Sequence, residues 1–254
     1  MSANCRSAWL VLIAMTGGIP AAHAQSLASP AAPCGEAALS RPLLASTLSD
    51  VRQLKSPASL GILALGGLAA AGAHSVDGDV TRSLSDSSSL RRAMKPGALI
   101  GGMPFELGTA FAAYQIGRAF HKPCAAALGA DLIQAQLIAE TFTLGVKQIG
   151  RRSRPEGTGF SFPSGHTATA FASATVLQRH FGWKAGVPAY AVASYVAMSR
   201  VQMKRHYLSD VAFGAALGIV AGRTVPMGHD HALVLTPMAG VSGAGASFTW
   251  VRKK

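Results

Sequence analysis

Between residues 58 and 226 apolar positions recur with the period of a helix rather than that of a strand, and short polar clusters interrupt them. The pattern predicts a Gly- and Ala-rich apolar helix over 60–73, preceded by a short helix over 46–54. Residues 74–96 are polar, with Asp77, Asp79, Asp86, Arg91, Arg92 and Lys95, and read as a loop with one helical turn. Two long helices follow over 96–120 and 124–147, then three shorter ones over 166–181, 186–198 and 207–224. The tail breaks this rhythm. Residues 232–236 and 247–251 favour strands and flank a Gly/Ala/Ser stretch, which predicts a small β-hairpin. The expected fold is an all-α antiparallel helical bundle with that hairpin appended.

The first residues read as an address. Arg6 precedes an apolar run over 8–15, and Ala22-His23-Ala24 gives the small-x-small pattern of a cleaved secretory signal ending at residue 24. An uncleaved anchor is the alternative. Residues 25–57 are rich in Ala, Ser and Pro and form an arm, residues 58–226 the helical domain, and residues 227–254 the tail. After cleavage Cys34 and Cys124 remain, either as one disulfide or as two unpaired core thiols.

Composition narrows the function. A 254-residue chain that is 49% hydrophobic and 13% charged is not disordered. Its mean hydropathy of +0.30 brings a membrane or lipid into view. The helix over 166–181 would reach about 24 Å against a bilayer core of about 30 Å, so it is a marginal span. A formal charge of +12 favours anionic partners, phosphates and anionic membrane surfaces among them. The positive charge lacks interleaved aromatic residues, so nucleic acid is not expected. The 11 carboxylates never cluster, which argues against a caged metal. No cofactor is expected.

Three clusters place phosphate-binding or proton-transfer groups at helix ends. They are Lys147 with Arg154-Pro155, Pro163-Ser164-Gly165-His166, and Ser199-Arg200 with His206 and Asp210. In transfer, a phosphoryl group carries charge that fixed cations can neutralise, and Lys147, Arg154 and Arg200 suit that task. Lys147 and Arg154 are seven residues apart and would share a helix face if the helix continued past Gly150. Ser164 and Gly165 lead into a helix whose first amides and dipole face an anion. His166 lies in that first turn, where an imidazolium is disfavoured until a phosphate dianion arrives, as a general acid requires. His206 and Asp210 are four apart, so on a helix the carboxylate would orient the imidazole. If the helices alternate in direction, all three clusters meet at one end of the bundle.

In order and spacing these clusters match K-x6-R-P, P-S-G-H and S-R-x5-H-x3-D, and the chain resembles the type 2 phosphatidic acid phosphatase (PAP2) superfamily. That superfamily also holds class A bacterial acid phosphatases and vanadium haloperoxidases. The resemblance implies a metal-independent phosphatase in which His206 forms a phosphohistidine, oriented by Asp210, while His166 protonates the leaving oxygen. Lys147, Arg154, Ser164, Gly165 and Arg200 would bind the substrate phosphate. A phosphorylated lipid or a small phosphate ester is the expected partner, and the site is expected on the non-cytoplasmic side. A soluble broad-specificity acid phosphatase, a haloperoxidase and a non-catalytic anionic-lipid-binding envelope protein are the rival readings.

Other residues read as bystanders. Arg151, Arg152, Lys204 and Arg205 look like solvated charges or anionic-lipid contacts. His121 and His180 look like surface histidines, and His229-Asp230-His231 is too local for a metal site. Asp77-Gly-Asp-Val-Thr mimics a D-x-D-x-T nucleophile motif, which requires a preceding buried strand that the pattern does not offer.

Overall fold

The computed structural model describes residues 54–225 and, as backbone, 231–240 and 243–252. Eight helices are seen among the described residues: α1 (Pro57–His74), α2 (Asp77–Ser85), α3 (Ser88–Ile100), α4 (Met103–Ala119), α5 (Pro123–Gly150), α6 (Gly165–Phe181), α7 (Trp183–Gln202) and α8 (Leu208–Thr224). They form an all-α bundle. The signal segment, the arm with Cys34 and the helix expected over 46–54 lie outside the described residues. Two strands in the tail, β1 (His231–Gly240) and β2 (Gly243–Arg252), pair antiparallel with His231 opposite Arg252.

Local chemistry explains most helix ends. Ser56 caps α1 by accepting from the Ser59 amide at 3.2 Å, and Pro57 sits in the first turn, where its missing N–H costs nothing. Ser87 caps α3 in the same way through the Leu90 amide. Arg151 adopts a left-handed conformation (φ 41°) and ends α5.

Two expectations need correction. The polar segment over 74–96 is helical, not a loop with one turn. Asp77 and Asp79 favour the N-terminus of α2, while Val80 and Leu84 enter the core. The single helix expected over 96–120 is divided at Gly101-Gly102 instead of beginning at Pro96, which lies inside α3. Close packing on α7 holds α3 together past the proline. A Cβ at Gly97 would lie 2.6 Å from the Ser199 Cβ, and one at Gly101 would lie 2.3 Å from a Val196 methyl.

The inner helix is α6, flanked by α5, α7 and α8. Phe171, Val196, Met198, Leu208 and Val211 fill one side of the core, and Ala139, Ala168, Ala172, Val176 and Leu217 fill the other. Helix α8 meets α6 almost backbone to backbone along Gly214, Gly218 and Gly222. A Cβ at Gly218 would be 2.2 Å from the Ala168 carbonyl oxygen, and one at Gly214 would be 2.7 Å from the Ser164 oxygen. This brings the N-termini of α6 and α8 together, and the Ser164 amide donates to the Asp210 carbonyl at 3.1 Å. At the other end of the same helices Arg179 donates to the carbonyls of Gly222 and Val225, closing the C-terminus of α8. His180, expected at the surface, lies there with its Nε2 2.9 Å from a carboxylate oxygen of buried Asp131.

Helix α1 packs on α8 through Gly66 and Ala70 but leaves Leu60, Leu65 and Leu68 more than half exposed. It is the one described helix long and apolar enough to cross a membrane. Glycine substitutions should separate the two kinds of helix contact. Gly218→Ala is expected to destabilise by about 1–3 kcal/mol, because overpacking outweighs the gain in helix propensity. Gly67→Ala, with open space around its Cβ, should be neutral or stabilising by up to about 1 kcal/mol. Unfolding midpoints of the two variants test the pair.

Candidate active site

The C-termini of α5 and α7 and the N-termini of α6 and α8 converge, and every expected site residue lies at that end. Lys147 is three residues from the end of α5. Its ammonium donates to three carbonyls of the segment leading into α6: Pro163 at 2.6 Å, and Phe160 and Ser161 at 3.3 Å. Arg154 does not share a helix face with Lys147, because the helix stops at Gly150. Residues 152–161 instead fold back as a small hairpin, closed by the Ser161 amide on the Arg152 carbonyl at 2.7 Å. Arg154 thereby reaches the Phe160 carbonyl, at 3.3 Å, the same oxygen to which Lys147 donates.

Ser164 is the N-cap of α6, yet its hydroxyl caps none of the first-turn amides and instead accepts from Thr167 at 2.9 Å. The dipole and free amides of that turn are left for an anion. Arg200, near the end of α7, is 7% exposed, and its Nε has no hydrogen-bond partner. The chain then turns through Lys204 (φ 57°), and the His206 amide donates back to the Arg200 carbonyl at 3.2 Å. His206 is buried and precedes α8 instead of riding on it. Asp210 sits in the first turn of α8, with its Oδ2 3.6 Å from His206 Nδ1. That is too long for a hydrogen bond, and the Nδ1 has no partner. Asp210 Oδ2 accepts from the Tyr207 amide at 2.8 Å.

The electrostatics point one way. Burial, reinforced by Arg200, His206, Arg154 and Arg205, pushes His166 down to about 3. Burial and Arg154 lower Lys147 to about 8 against the opposing pull of Asp210 and Glu140. Burial, Arg205 and Arg154 bring Arg200 to about 10. Burial also lowers His206, partly offset by Asp210. His166, Lys147, Arg200 and His206 are all pressed toward their neutral forms, chiefly by burial and secondarily by crowded positive charge. An anion in the cradle would relieve all of them together.

Several contributors were not legible in the sequence. Arg152, expected to be solvated, donates to Asp210 Oδ1 at 2.9 Å and to Asp77 Oδ2 at 2.8 Å, and it stacks on the Tyr207 ring at 4.0 Å. Arg205, also expected to be solvated, pairs with Glu156, which lies 3.8 Å from Arg154. Arg151 and Lys204 are exposed, as expected of solvated charges. Asp77 bonds the amide and hydroxyl of Ser209 across 132 positions of sequence. No motif could have shown that pairing. Glu140, two turns before Lys147, has its Oε2 2.9 Å from where a Cβ on Gly165 would stand. Burial raises it, while Lys147 opposes the shift. Its neighbour Glu106, 8% exposed, is raised to about 8 by burial despite a hydrogen bond with Thr169, with Glu140 adding to the rise.

Among the described residues no group of three or more His, Cys, Asp or Glu side chains is placed to hold a metal ion. His229 and Asp230 and the side chain of His231 lie outside them.

An all-α bundle with a cationic cradle at the convergence of helix ends is suited to hold an anion. Comparison with known proteins is more specific: the sequence profile of the PAP2 superfamily matches residues 119–230. That matched segment holds all three clusters, from Lys147 to Asp210. It is 43% identical over 100 residues to the lipid A 1-phosphatase of Porphyromonas gingivalis, a match covering 38% of this chain and 21% of that one. A decaprenylphosphoryl-5-phosphoribose phosphatase of Mycobacterium tuberculosis is 32% identical over 98 residues, or 35% of this chain and 54% of the relative. The chain thus spans about a fifth to about half of the curated relatives it matches. In fold it resembles the transmembrane PAP2 type phosphatidylglycerolphosphate phosphatase of Bacillus subtilis, with a TM-score of 0.53 and 20% identity over 72% of this chain and 92% of the other.

Two titrations test this electrostatic picture. The His166 imidazole should stay neutral down to about pH 4 in the free protein and move toward its ordinary 6.5 when phosphate or vanadate binds, as read by NMR. Glu106, raised when folded, takes up a proton on folding at intermediate pH. Its contribution to stability is full below its ordinary 4.5 and is lost as pH rises toward about 8. Glu106→Gln should flatten the fall in unfolding midpoint across that window.

Proposed function

We propose that this protein is a metal-independent phosphatase that hydrolyses phosphate monoesters carried on lipids, through a phosphohistidine at His206. The observation that carries the proposal is the gathering of half-buried Lys147 and Arg154 and buried Arg200 around the N-terminus of α6, with His166 and His206 beside it. Substrate phosphate would lie against the first amides of α6, with Gly165 allowing close approach and the Ser164 hydroxyl adding a donor.

With Nδ1 turned toward Asp210, the Nε2 of His206 is the attacking atom. The P–N bond forms as the bond from phosphorus to the leaving oxygen breaks. His166, protonated once the phosphate dianion supplies its counter-charge, gives its proton to the departing alcohol. The neutral imidazole then takes a proton from water as that water attacks phosphorus, the P–N bond breaks, and phosphate leaves. Asp210 stabilises the positive charge on the His206 ring throughout. Fixed cations do the charge neutralisation, so the step needs no bound metal.

A lipid substrate is supported by the names of the relatives, which act on lipid A and on a decaprenyl-linked phosphoribose, and by the apolar residues exposed on α1. Export, with the site on the non-cytoplasmic side, is supported by the signal-like N-terminus and by Cys124. That cysteine is disulfide-bonded, with its partner outside the described residues. The anionic face of a membrane is the surface that a chain of charge +12 would approach.

The test is phosphate release in EDTA from short-chain phosphatidate and from p-nitrophenyl phosphate. His206→Ala is expected to lose about 10³-fold or more in kcat, and His166→Ala about 10²–10⁴-fold. Acid-labile phosphate should appear on wild-type protein quenched during turnover and be missing from the His206 variant. Preference for phosphatidate supports the lipid reading. Equal turnover of both substrates would replace it with a broad acid phosphatase, and full activity in His206→Ala would overturn the mechanism.

A further inference from the structure

The carboxylate behind His206 is itself held by a network that reaches outside the three motifs. Asp210 has two fixed contacts, the Arg152 guanidinium on Oδ1 at 2.9 Å and the Tyr207 amide on Oδ2 at 2.8 Å. Both bonds are needed to fix the plane of the carboxylate, and Oδ2 then lies 3.6 Å from the imidazole. Arg152 is in turn shared. Its other terminal nitrogen donates to Asp77 Oδ2 at 2.8 Å, and the nitrogen on Asp210 also donates to the Ser209 hydroxyl at 2.6 Å. Asp77 completes the ring by accepting from the Ser209 amide at 2.9 Å and the Ser209 hydroxyl at 2.5 Å. Asp77, Ser209 and Asp210 are 2–3% exposed or fully buried, so solvent does not dilute these contacts. Two further basic groups face the network: His74, whose exposed ring lies 3.4 Å from Asp77 Oδ2, and Lys147, which feels the charge of Asp210.

The charge balance gives the network a consequence. One guanidinium stands between two carboxylates, so the group carries a net charge of about −1, available to a cationic imidazole ring. Without Asp77 the whole guanidinium charge would fall on Asp210. Asp210 would then be neutralised by Arg152 and could no longer support positive charge on His206. Asp77 comes from α2, outside the 119–230 segment that carries the family match.

We propose that Asp77 and Arg152 are positioning residues for the reaction at His206: Arg152 orients Asp210, and Asp77 keeps Arg152 from neutralising it. The inference rests on the assignment of His206 as nucleophile. Both residues spend their hydrogen bonds on Ser209, Asp210 and each other, so their loss should act on the chemical step and spare binding.

The experiment compares the full chain as wild type, His206→Ala, Asp77→Asn, Arg152→Lys and the double variant, with short-chain phosphatidate as substrate and vanadate as competitive inhibitor. Asp77→Asn keeps the shape and an acceptor for Ser209. Arg152→Lys keeps a positive charge but cannot bridge two carboxylates. Each is expected to lower kcat about 10- to 100-fold, as removal of a residue that orients a reacting group typically does, with KM and vanadate inhibition within about twofold of wild type. The double variant should be no worse than the worse single one, because both act through Asp210. A purely structural role would instead shift KM, vanadate inhibition and melting together. Wild-type kcat in folded Asp77→Asn and Arg152→Lys overturns the proposal, as does a loss confined to KM. If Asp77→Asn has no cooperative melting transition, Arg152→Lys alone decides by the same criteria. A wild type that releases no phosphate, or a fully active His206→Ala, fails the nucleophile assignment and this proposal with it. With an active wild type and a dead His206→Ala, the kcat values of the Asp77 and Arg152 variants bear on the positioning role alone.

Discussion

The active end of this protein depends on how closely α6 and α8 approach each other. Gly214, Gly218 and Gly222 give α8 a face without side chains, and the carbonyls of Ser164, Ala168 and Ala172 lie where Cβ atoms would otherwise be. At that separation the two N-termini become neighbours, and the Ser164 amide can bond the Asp210 carbonyl. Two helix N-termini side by side concentrate positive potential before any charged side chain is added. A methyl group in that seam would move Ser164 and His166 away from Asp210 and His206.

On this frame the site is built from crowded cations. Arg154, Arg200 and Lys147 hold positions that ordinary pairing would not favour, because few carboxylates reach them. Glu156 serves Arg154 and Arg205 at the rim, and Asp210 serves Arg152 and His206 behind. Lys147 is held by carbonyl dipoles, those of Phe160, Ser161 and Pro163, while the Arg200 Nε has no hydrogen-bond partner. Such an arrangement costs stability in the empty protein and gains it back when an anion enters, which concentrates binding energy where charge must be neutralised. The raised carboxyl groups Glu106 and Glu140 fit the same logic. Burial weakens the tendency of both to ionise, which lowers the negative charge they would set against an anion in the cradle.

The helices that bear the site are legible in the sequence because apolar spacing and end chemistry agree there. Residues 166–181 and 207–224 begin at sharp polar-to-apolar changes, and the structure moves those starts by a single residue. The segment 74–100 is not legible in the same way, because its helicity comes from partners. Val80 and Leu84 have too few apolar neighbours in sequence to announce a helix. Gly97 and Gly101 signal a break locally, but in three dimensions they are the surface on which α7 rests. The pairing of Arg152 and Arg205 is hidden for a related reason, since their carboxylate partners Asp77, Asp210 and Glu156 come from distant parts of the chain.

What the sequence by itself determined was chemistry of short range: the all-α periodicity, the cationic and hydroxyl side chains of the three clusters, and the spacing that sets them near helix ends. Those follow from the 3.6-residue turn, capping and the charge of single side chains, all of which act within a few residues. Only the tertiary structure decided that Arg154 reaches the cradle by a hairpin, that His206 stands before its helix, and that Asp77 bonds Ser209 across 132 positions. These depend on close approach between helices and on burial, which change the energy of a charge far more than its sequence neighbours do. Neither quantity exists until the chain has folded.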